Sequence, residues 1–278
     1  MEMYFFLKVF SLYLRNAPTF AYKITYKIIY SLLFHVLKMR QKTVLTNLRW
    51  AFPDKNEEWY NNTMKQCYKF FTKEFLDFIS FPKNYSSSKI KFKNLEVLSS
   101  AHAMKKGIIL VGSHYGSFDK LFYALSQEEY NLTGVAYKQN NSGADIFFKQ
   151  IRENFMEDQL YKGGDVKQLK NSLVKNNILI LLSDQDAKKK GVKAKFFGID
   201  SSTHSGAAIL SKRNKSPIIY ASITSKNNIY EVEFVKINTS GSINDIVQQY
   251  TSEIEKTIIN NPEQYFWFHK RWKSVKAY

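Results

Sequence analysis

Hydrophobic positions in about the first 80 residues recur at the three- and four-residue spacing that predicts helices. Residues 3–14 form a strongly apolar helical segment. A later helix is expected to end before Pro53, because proline disfavours helical conformation in the residue that precedes it. Asp54 or Asn56 can cap the next helix, which the pattern predicts over residues 57–78. The N-terminal part of the chain is therefore expected to be helical.

The remainder of the chain alternates short apolar runs with amphipathic segments, after a Ser- and Lys-rich stretch at residues 82–91 that is typical of a linker. Strands are predicted at 107–112, 132–137, 178–182, 217–224 and 230–237. Helices are predicted at 118–127, 144–156, 166–175, 206–213 and 244–260. This alternation predicts an α/β fold with a mixed, mostly parallel central sheet flanked by helices. We expect a helical region over residues 1–82 and an α/β domain over residues 83–278, joined in one globular unit.

The net charge of the 278-residue chain indicates which kinds of partner it can bind. Its formal net charge is +17, which favours nucleic acid, an anionic membrane surface or an acidic protein as a partner.

A single cysteine, Cys67, excludes an intramolecular disulfide and fits a reducing compartment. Cys67 lies in an aromatic stretch and is expected to be inert core. The five histidines are scattered without metal-ligand spacing, so we expect no metal site.

The N-terminal 52 residues combine eight Lys or Arg residues with one acid, Glu2, among many aromatic and aliphatic residues. Neither residues 3–14 nor residues 20–39 reach the ~18 uninterrupted apolar residues typical of a membrane-spanning helix. No small-residue cleavage site follows, so a signal peptide is not expected. The pattern favours basic amphipathic helices that lie in the membrane interface. The alternative is ordinary helices that cover the core of the main domain.

The chain carries an H-x4-D pair, His114 and Asp119, directly after the apolar run at residues 107–112. Glycines at 112 and 116 predict a turn between a strand and a helix that starts near residue 117. In one continuous helix the two side chains would point about 140° apart, but a strand–turn–helix junction can bring them together. A carboxylate that orients an imidazole makes a general base. A satisfied polar histidine at a strand end is the structural alternative.

Other polar groups are predicted at the same carboxyl edge of the sheet. Asp184 and Asp186 follow a buried strand, where carboxylates can fix loop amides, bind cations or orient a base. The lysines of residues 188–195 are typical of a solvated face, although beside such a site they could attract phosphates. The Ser- and Thr-rich segment before Gly206 can cap a helix or bind an anion, and its His204 is a competing base.

Two further features are less specific. Arg152 lies on an amphipathic helix and would by default face solvent. Residues 262–273 are dense in aromatic residues and cations, which is typical of a stacking surface for RNA or of a membrane-interface segment. A stacking surface for RNA would make the chain a basic nucleic-acid-binding protein.

Taken in order, several pieces of residues 40–273 resemble the bacterial lipid A biosynthesis acyltransferases, the lauroyl and myristoyl transferases within the H-x4-D/E acyltransferases. The similar pieces are Asn47 with Phe52-Pro53, His114 to Asp119, Arg152, Asp184-Gln185, Gly191, Phe196 to Gly198, Thr203 with Gly206, and Pro262 to Trp272. The last piece is the most specific. The chain departs from the family in Ser117-Phe118, where Asn-Trp is usual, and in His204-Ser205 and Ala207, where the family has Pro-Thr and Pro.

The resemblance implies acyl transfer from a carrier thioester, acyl carrier protein or coenzyme A, to a hydroxyl of a lipid A precursor or related glycolipid. It implies His114 as the base, Asp119 as the carboxylate that orients it, and substrate-binding roles for Arg152, Asp184, Gln185 and Gly206. No cofactor is implied. The expected location is the cytoplasmic face of the bacterial inner membrane, with an anionic membrane surface as a partner and no nucleic acid. A phospholipid or aminolipid acyltransferase with the same pair is the alternative.

Overall fold

A computed structural model describes residues 1–226 and 229–278. Its helices are α1 Glu2–Asn16, α2 Thr19–Ser31, α3 Gln41–Ala51, α4 Glu57–Ile79, α5 Lys83–Ser86, α6 Leu95–Ala103, α7 Phe118–Gln127, α8 Ser142–Arg152, α9 Val166–Val174, α10 Gly206–Asn214 and α11 Ile243–Asn260. Its strands are β1 Lys89–Lys93, β2 Ile108–Gly112, β3 Leu132–Ala136, β4 Asp158–Tyr161, β5 Ile178–Leu182, β6 Val192–Phe196, β7 Ile199–Thr203, β8 Ile218–Lys226 and β9 Ile229–Ile237.

The described part of the chain contains a seven-stranded sheet in the order β1-β9-β8-β2-β5-β3-β4. Strands β8 and β9 pair antiparallel, and the other neighbours in this sheet run parallel. The mixed, mostly parallel sheet predicted from the alternating pattern is confirmed. Strand β2 is buried at every position, which explains why its sequence is a continuous apolar run.

Helices cover both faces of the sheet and form two hydrophobic cores. One core joins α3, α4, α10 and α11 to one face, with Val44, Cys67 and Tyr250 among its buried members. The other joins α1, the end of α4, α7 and α8 to the opposite face, with Leu14, Leu76 and Leu125 among its members. Both cores thus contain residues from the N-terminal helices and from the later α/β region.

The N-terminal helices follow the predicted pattern, and α4 is capped by Asn56, whose side chain accepts a hydrogen bond from the Trp59 amide. Helix α1 buries Leu7 and Leu14 but exposes most of its other apolar side chains. Helix α2 buries none of its residues completely. Among the described residues, none of the helices combines the length and the apolar character that crossing a bilayer requires.

Two segments contain strands that were not predicted from the sequence, although the lysines of residues 188–195 are exposed, as expected of a solvated face. The expected linker at residues 82–91 instead contains the short helix α5 and the start of β1, whose Lys-Ile-Lys-Phe-Lys sequence alternates exposed and half-buried positions at the edge of the sheet. The lysines of residues 193 and 195 lie on β6, which pairs with β7 in an antiparallel hairpin separate from the main sheet. Lysines on exposed strand positions protect such edges from pairing with other chains.

Candidate functional site

A cavity of about 520 Å³ opens where β3 and β5 diverge at the carboxyl edge of the sheet. The two strands pair only from Leu132 and Ile178 to Gly134 and Ile180. Beyond that point the last two residues of each strand are half-buried and line the cavity. Apolar side chains form much of the remaining wall, among them Phe118, Phe122, Met156, Leu169, Ala207 and Leu210. A largely apolar cavity of this size suits a hydrophobic ligand.

His114 lies at the mouth of this cavity, in the turn between β2 and α7. The turn depends on Gly116, whose φ of +59° is left-handed, and where an added Cβ would lie 1.7 Å from the Ile223 carbonyl oxygen. Main-chain hydrogen bonds fix the turn from the C-terminal segment. The Phe266 amide donates to the His114 carbonyl at 2.9 Å, and the Gly116 amide donates to the Gln264 carbonyl at 2.8 Å.

The imidazole of His114 is held by Asp184, which follows the neighbouring strand β5. His114 Nδ1 lies 2.9 Å from Asp184 Oδ1, and the Asp184 side chain is almost completely buried. Burial alone would lower the pKa of His114, but the charge and hydrogen bond of Asp184 outweigh it and raise this pKa. Burial disfavours the Asp184 carboxylate, yet His114 keeps the pKa of Asp184 below its ordinary value. With Nδ1 occupied, Nε2 is the nitrogen that can accept a proton.

Asp119 occupies the first turn of α7, as the sequence predicts, and lines the cavity together with His114. The structure differs from the sequence prediction in which carboxylate holds the imidazole of His114. In the described part of the chain the carboxylate hydrogen-bonded to His114 is that of Asp184, whereas Asp119 Oδ1 lies 3.9 Å from Arg152 Nε. Burial raises the pKa of Asp119, and the charges of Arg152 and His114 partly offset this effect. Asp119 therefore acts on His114 through its charge.

Arg152 does not face solvent, contrary to the default expectation for its helix. Its side chain is 22% exposed and lies beside Asp119 at the cavity wall. Arg152 Nη1 donates a 3.2 Å hydrogen bond to Gln159 Oε1, and the guanidinium lies 5.5 Å from the centre of the Phe78 ring. A cation so placed can interact with an anionic group that enters the cavity.

Two other predicted residues line the same cavity. The Gln185 side-chain amide nitrogen lies 3.5 Å from His114 Nδ1, but both atoms are donors when Nδ1 binds Asp184, so this contact is not a hydrogen bond. Gly206 is the first residue of α10 and is exposed at the cavity. Ser205, at the N-cap, makes no side-chain capping bond to the described helix, so the capping interpretation of this segment is wrong for Ser205.

Asp186, the second strand-end carboxylate, is structural. Its oxygens accept hydrogen bonds from the Lys188 amide at 2.8 Å and from the Ser274 hydroxyl at 2.6 Å. These bonds tie the loop after β5 to the C-terminal segment. The sequence did not distinguish these two carboxylates, but the structure gives them different partners. Asp184 binds the His114 imidazole, and Asp186 binds the loop backbone and Ser274.

The aromatic C-terminal segment is core, not a surface. Trp267 and Trp272 are completely buried and Arg271 is 1% exposed, which excludes the expected stacking or membrane-interface surface for these side chains. Asn47 Nδ2 donates to the Trp267 and His269 carbonyls at 2.7 and 2.8 Å. Arg271 Nη2 donates to Thr203 Oγ1 at 2.7 Å and so supports the end of β7. The segment therefore braces both sides of the cavity mouth.

Sequence reasoning missed Lys162, the residue after β4, whose ammonium lies 3.1 Å from His204 Nε2. Both residues line the cavity. Burial and the neighbouring Lys162 charge lower the pKa of His204 to about 4, so His204 is neutral at physiological pH. Among the described residues its imidazole contacts Lys162 and no carboxylate, which weakens His204 as the competing base. No spacing in the sequence links residues 162 and 204.

Comparison with known protein families decides the class of this site. A family model described as bacterial lipid A biosynthesis acyltransferase matches residues 2–274. The chain belongs to this family. The expected resemblance is therefore confirmed over nearly the whole length, and the chain is an acyltransferase. A comparison with curated proteins gave no match.

The acyltransferase builds its cavity mouth from the sequence pieces that carry the resemblance. Asn47 binds the C-terminal segment, that segment binds the His114 turn, and Asp184 binds the imidazole. Pieces far apart in the sequence thus converge around one histidine.

Proposed function

We propose that the acyltransferase moves a fatty acyl chain from acyl carrier protein to a hydroxyl of a lipid A precursor or related glycolipid, with His114 as the general base. The observation that carries this proposal is an imidazole, fixed at Nδ1 by a buried carboxylate, at the mouth of a largely apolar cavity. The cavity offers an apolar environment for the acyl chain, and the imidazole lies where the thioester end of that chain would emerge.

In the proposed reaction Nε2 of His114 accepts the proton of the acceptor hydroxyl, and the hydroxyl oxygen attacks the carbonyl carbon of the thioester. The C–O bond forms and the C–S bond then breaks. The proton passes from the imidazolium to the departing thiolate, which leaves as the carrier thiol. Asp184 keeps the imidazole in one tautomer and stabilises the imidazolium, as the carboxylate does in a catalytic triad. General-base assistance contributes roughly 10²–10⁴-fold, and positioning of the two substrates contributes the rest.

Asp119 and Arg152 have supporting roles in this proposal. The Asp119 carboxylate adds a second negative charge beside the imidazolium that forms during the reaction. Arg152, paired with Asp119 at 3.9 Å, is available to an anionic oxygen at the thioester end of the cavity. The exposed N-terminus of α10 at Gly206 and the Gln185 amide supply further hydrogen-bond donors at the same mouth.

Membrane docking through α1 and α2 would bring the enzyme to the bilayer that holds a lipid acceptor. Both helices expose large apolar side chains among their lysines, including Phe5, Phe6, Val9, Leu12, Phe20, Ile24 and Ile28. Basic amphipathic helices of this kind insert their apolar faces into an anionic bilayer interface. We propose that these helices dock the enzyme on the cytoplasmic face of the inner membrane.

The net charge of +17 is consistent with both proposed partners. An acidic carrier protein and an anionic bilayer would each be attracted to the same basic protein. Both contacts should weaken with added salt, because the Debye length falls to roughly 8 Å at physiological ionic strength.

The deciding experiment pairs labelled acyl carrier protein thioesters of several chain lengths with a panel of glycolipid and phospholipid acceptors. The expected result is an ester product with a glycolipid acceptor that disappears in His114→Ala, while the thermal unfolding midpoint stays near that of the wild type. Transfer to phospholipids instead would replace the acceptor in the proposal. Transfer from coenzyme A thioesters alone would replace the donor. Unchanged turnover in His114→Ala would exclude His114 as the base.

A further inference from the structure

A polar cluster lies at the mouth of the cavity, apart from the His114–Asp184 pair. It consists of Lys162, which follows β4, together with Tyr137 after β3 and His204 after β7. The Lys162 ammonium donates hydrogen bonds to the Tyr137 hydroxyl and, over 3.1 Å, to His204 Nε2. It also lies 4.4 Å from the centre of the Tyr137 ring. Three separate elements thus place one ammonium at the entrance.

The charge of Lys162 is not neutralised by its neighbours. Over residues 1–226 and 229–278, no carboxylate lies within ion-pair distance of its ammonium. Asp165, on the same loop, accepts a hydrogen bond from the Lys167 amide and caps α9. The partners of Lys162 are a phenol and an imidazole that is neutral at physiological pH. An ammonium held by neutral groups at a substrate entrance is a binding position for an anion.

The loop beside Lys162 leaves space for such a ligand. Gly163 adopts a left-handed φ of +90°, and a Cβ added there would meet no atom within 4 Å. Lys162, His204 and His114 line the same cavity, so the cluster and the His114–Asp184 pair belong to one entrance. A ligand bound at Lys162 can therefore extend its other end toward His114.

We infer that Lys162 and His204 form a subsite for a phosphate group carried by one of the substrates. The inference rests on the proposed function, in which two phosphate-bearing molecules reach this entrance. One is the carrier's pantetheine arm, whose phosphodiester is remote from the thioester. The other is a glycolipid acceptor with phosphate on its headgroup. When a phosphate binds, His204 gains a proton and changes from acceptor to donor, because an adjacent anion favours the charged imidazolium. Lys162 and His204 then donate charge-assisted hydrogen bonds to the same group.

Direct binding tests this subsite without turnover. The probes are 4′-phosphopantetheine and pantetheine, which differ by the phosphate, and glucosamine 1-phosphate and glucosamine as the acceptor-like pair. The readout is the affinity of each probe, together with the His204 imidazole resonance followed over pH by NMR. We expect a phosphate-bearing probe to bind at least roughly tenfold more tightly than its partner and to raise the pKa of His204.

Three variants sharpen the test. Lys162→Gln should weaken binding of the phosphate-bearing probe by roughly tenfold or more, to the level of the probe without phosphate. Lys162→Arg, which keeps the charge, should retain most of the affinity. Lys170→Gln removes an exposed lysine from α9 that does not line the cavity and should bind every probe as the wild type does.

Each outcome has one meaning. Tighter binding of 4′-phosphopantetheine than of pantetheine assigns the subsite to the acyl donor. Tighter binding of glucosamine 1-phosphate than of glucosamine assigns it to the acceptor. Equal binding of every probe to wild type and Lys162→Gln, with an unchanged His204 titration, overturns the subsite. If the wild type binds a phosphate probe through Lys162 but transfers no acyl chain in the carrier assay, the proposed function fails and the subsite stands.

Discussion

His114 Nδ1 and Asp184 Oδ1, 2.9 Å apart, join the carboxyl ends of two neighbouring parallel strands. Strands β2 and β5 pair in register from Ile108 and Ile178 to Gly112 and Leu182, so each side chain lies just beyond the last pair. Because β2 and β5 are paired along their whole length near the centre of the sheet, this strand pairing sets the relative position of the two side chains.

Asp184→Asn tests the importance of this pair. The amide has nearly the same shape but can hold the imidazole in the wrong tautomer, as the equivalent change does in serine proteases. We expect kcat to fall by roughly a hundredfold or more, with little change in KM for either substrate. Steady-state kinetics of acyl transfer provide the measurement. Asp200→Asn, a change at a half-exposed carboxylate on the β6–β7 hairpin, should leave kcat unchanged. Equal kcat in both variants would remove Asp184 from the mechanism.

The pH dependence of kcat/KM should follow the free base form of His114. Asp184 raises the pKa of His114, so activity should increase as pH rises through a midpoint above the ordinary value of about 6.5. In Asp184→Asn the remaining effect of burial lowers that pKa, so the residual activity should show its midpoint at lower pH. The measurement is a kcat/KM profile of both proteins at constant ionic strength. A midpoint that does not move between them would contradict His114 as the titrating base.

The sequence identified His114 but not its hydrogen-bond partner. A Gly-bracketed turn after an apolar run is a local signal, and it correctly placed His114 between a strand and a helix. The contact with Asp184 joins residues 70 positions apart and depends on β5 lying beside β2, which one sequence does not specify. The strand-end interpretation of Asp184 included orientation of a base, so the partner was among the alternatives. Lys162 had no comparable signal.

Asp119→Asn should have a smaller effect than Asp184→Asn. Asp119 acts on the imidazolium through its charge and on Arg152 through a 3.9 Å ion pair, so its loss removes electrostatic stabilisation without releasing the imidazole. We expect kcat to fall by roughly tenfold or more, less than in Asp184→Asn. Kinetics of both single variants and of the double variant provide the measurement. Full activity in Asp119→Asn would limit this carboxylate to capping α7.

The fold was predictable where local pattern and final burial agree. Buried β2 and β5 are continuous apolar runs, and the amphipathic α7 matches its predicted bounds. Elements at the edges of the fold were missed because they bury few apolar side chains. Strand β1 and the β6–β7 hairpin carry lysines at alternate positions, and one-sided burial of two or three side chains is a weak signal beside their charge. The buried aromatic C-terminal segment was misinterpreted because its partners, α3 and the hairpin, are distant in sequence.

Membrane docking predicts a vesicle-binding defect from substitutions on the exposed apolar faces. Phe6 and Phe20 are 64% and 68% exposed, so Phe6→Ser with Phe20→Ser should leave the core intact. Deleting the helices would be less informative, because Leu7 and Leu14 are buried in the core. We expect at least roughly tenfold weaker binding to anionic vesicles, since each change removes apolar area that would enter the bilayer. Co-sedimentation with vesicles of anionic and zwitterionic lipid provides the measurement.

The matched control for docking is Val174→Ser with Ile259→Ser. These residues are 72% and 51% exposed on α9 and α11, away from α1 and α2, and the double variant should bind vesicles as the wild type does. Equal loss of binding in both double variants would mean that general surface hydrophobicity, and not the N-terminal helices, controls binding. Unchanged binding of the phenylalanine variant would place the docking surface elsewhere.

Lys120, next to Asp119 on α7, should be a major determinant of stability. Its side chain is almost completely buried, and its ammonium contacts Asp77 at 2.8 Å, Glu74 at 3.2 Å and the Tyr230 hydroxyl at 3.0 Å. Lys120→Met leaves two carboxylates to share Lys73, and breaking a buried pair in this way costs about 3–5 kcal/mol. Urea unfolding monitored by circular dichroism measures the loss.

Lys93→Met is the control for Lys120→Met, because it breaks the exposed pair with Glu233 and should change the free energy of unfolding far less. The double variant Lys120→Met with Asp77→Asn should recover part of the lost stability, since it removes one of the carboxylates that the first change leaves without its cation. If Lys120→Met and Lys93→Met unfold at the same urea concentration, the network around Lys120 does not hold α7 against α4.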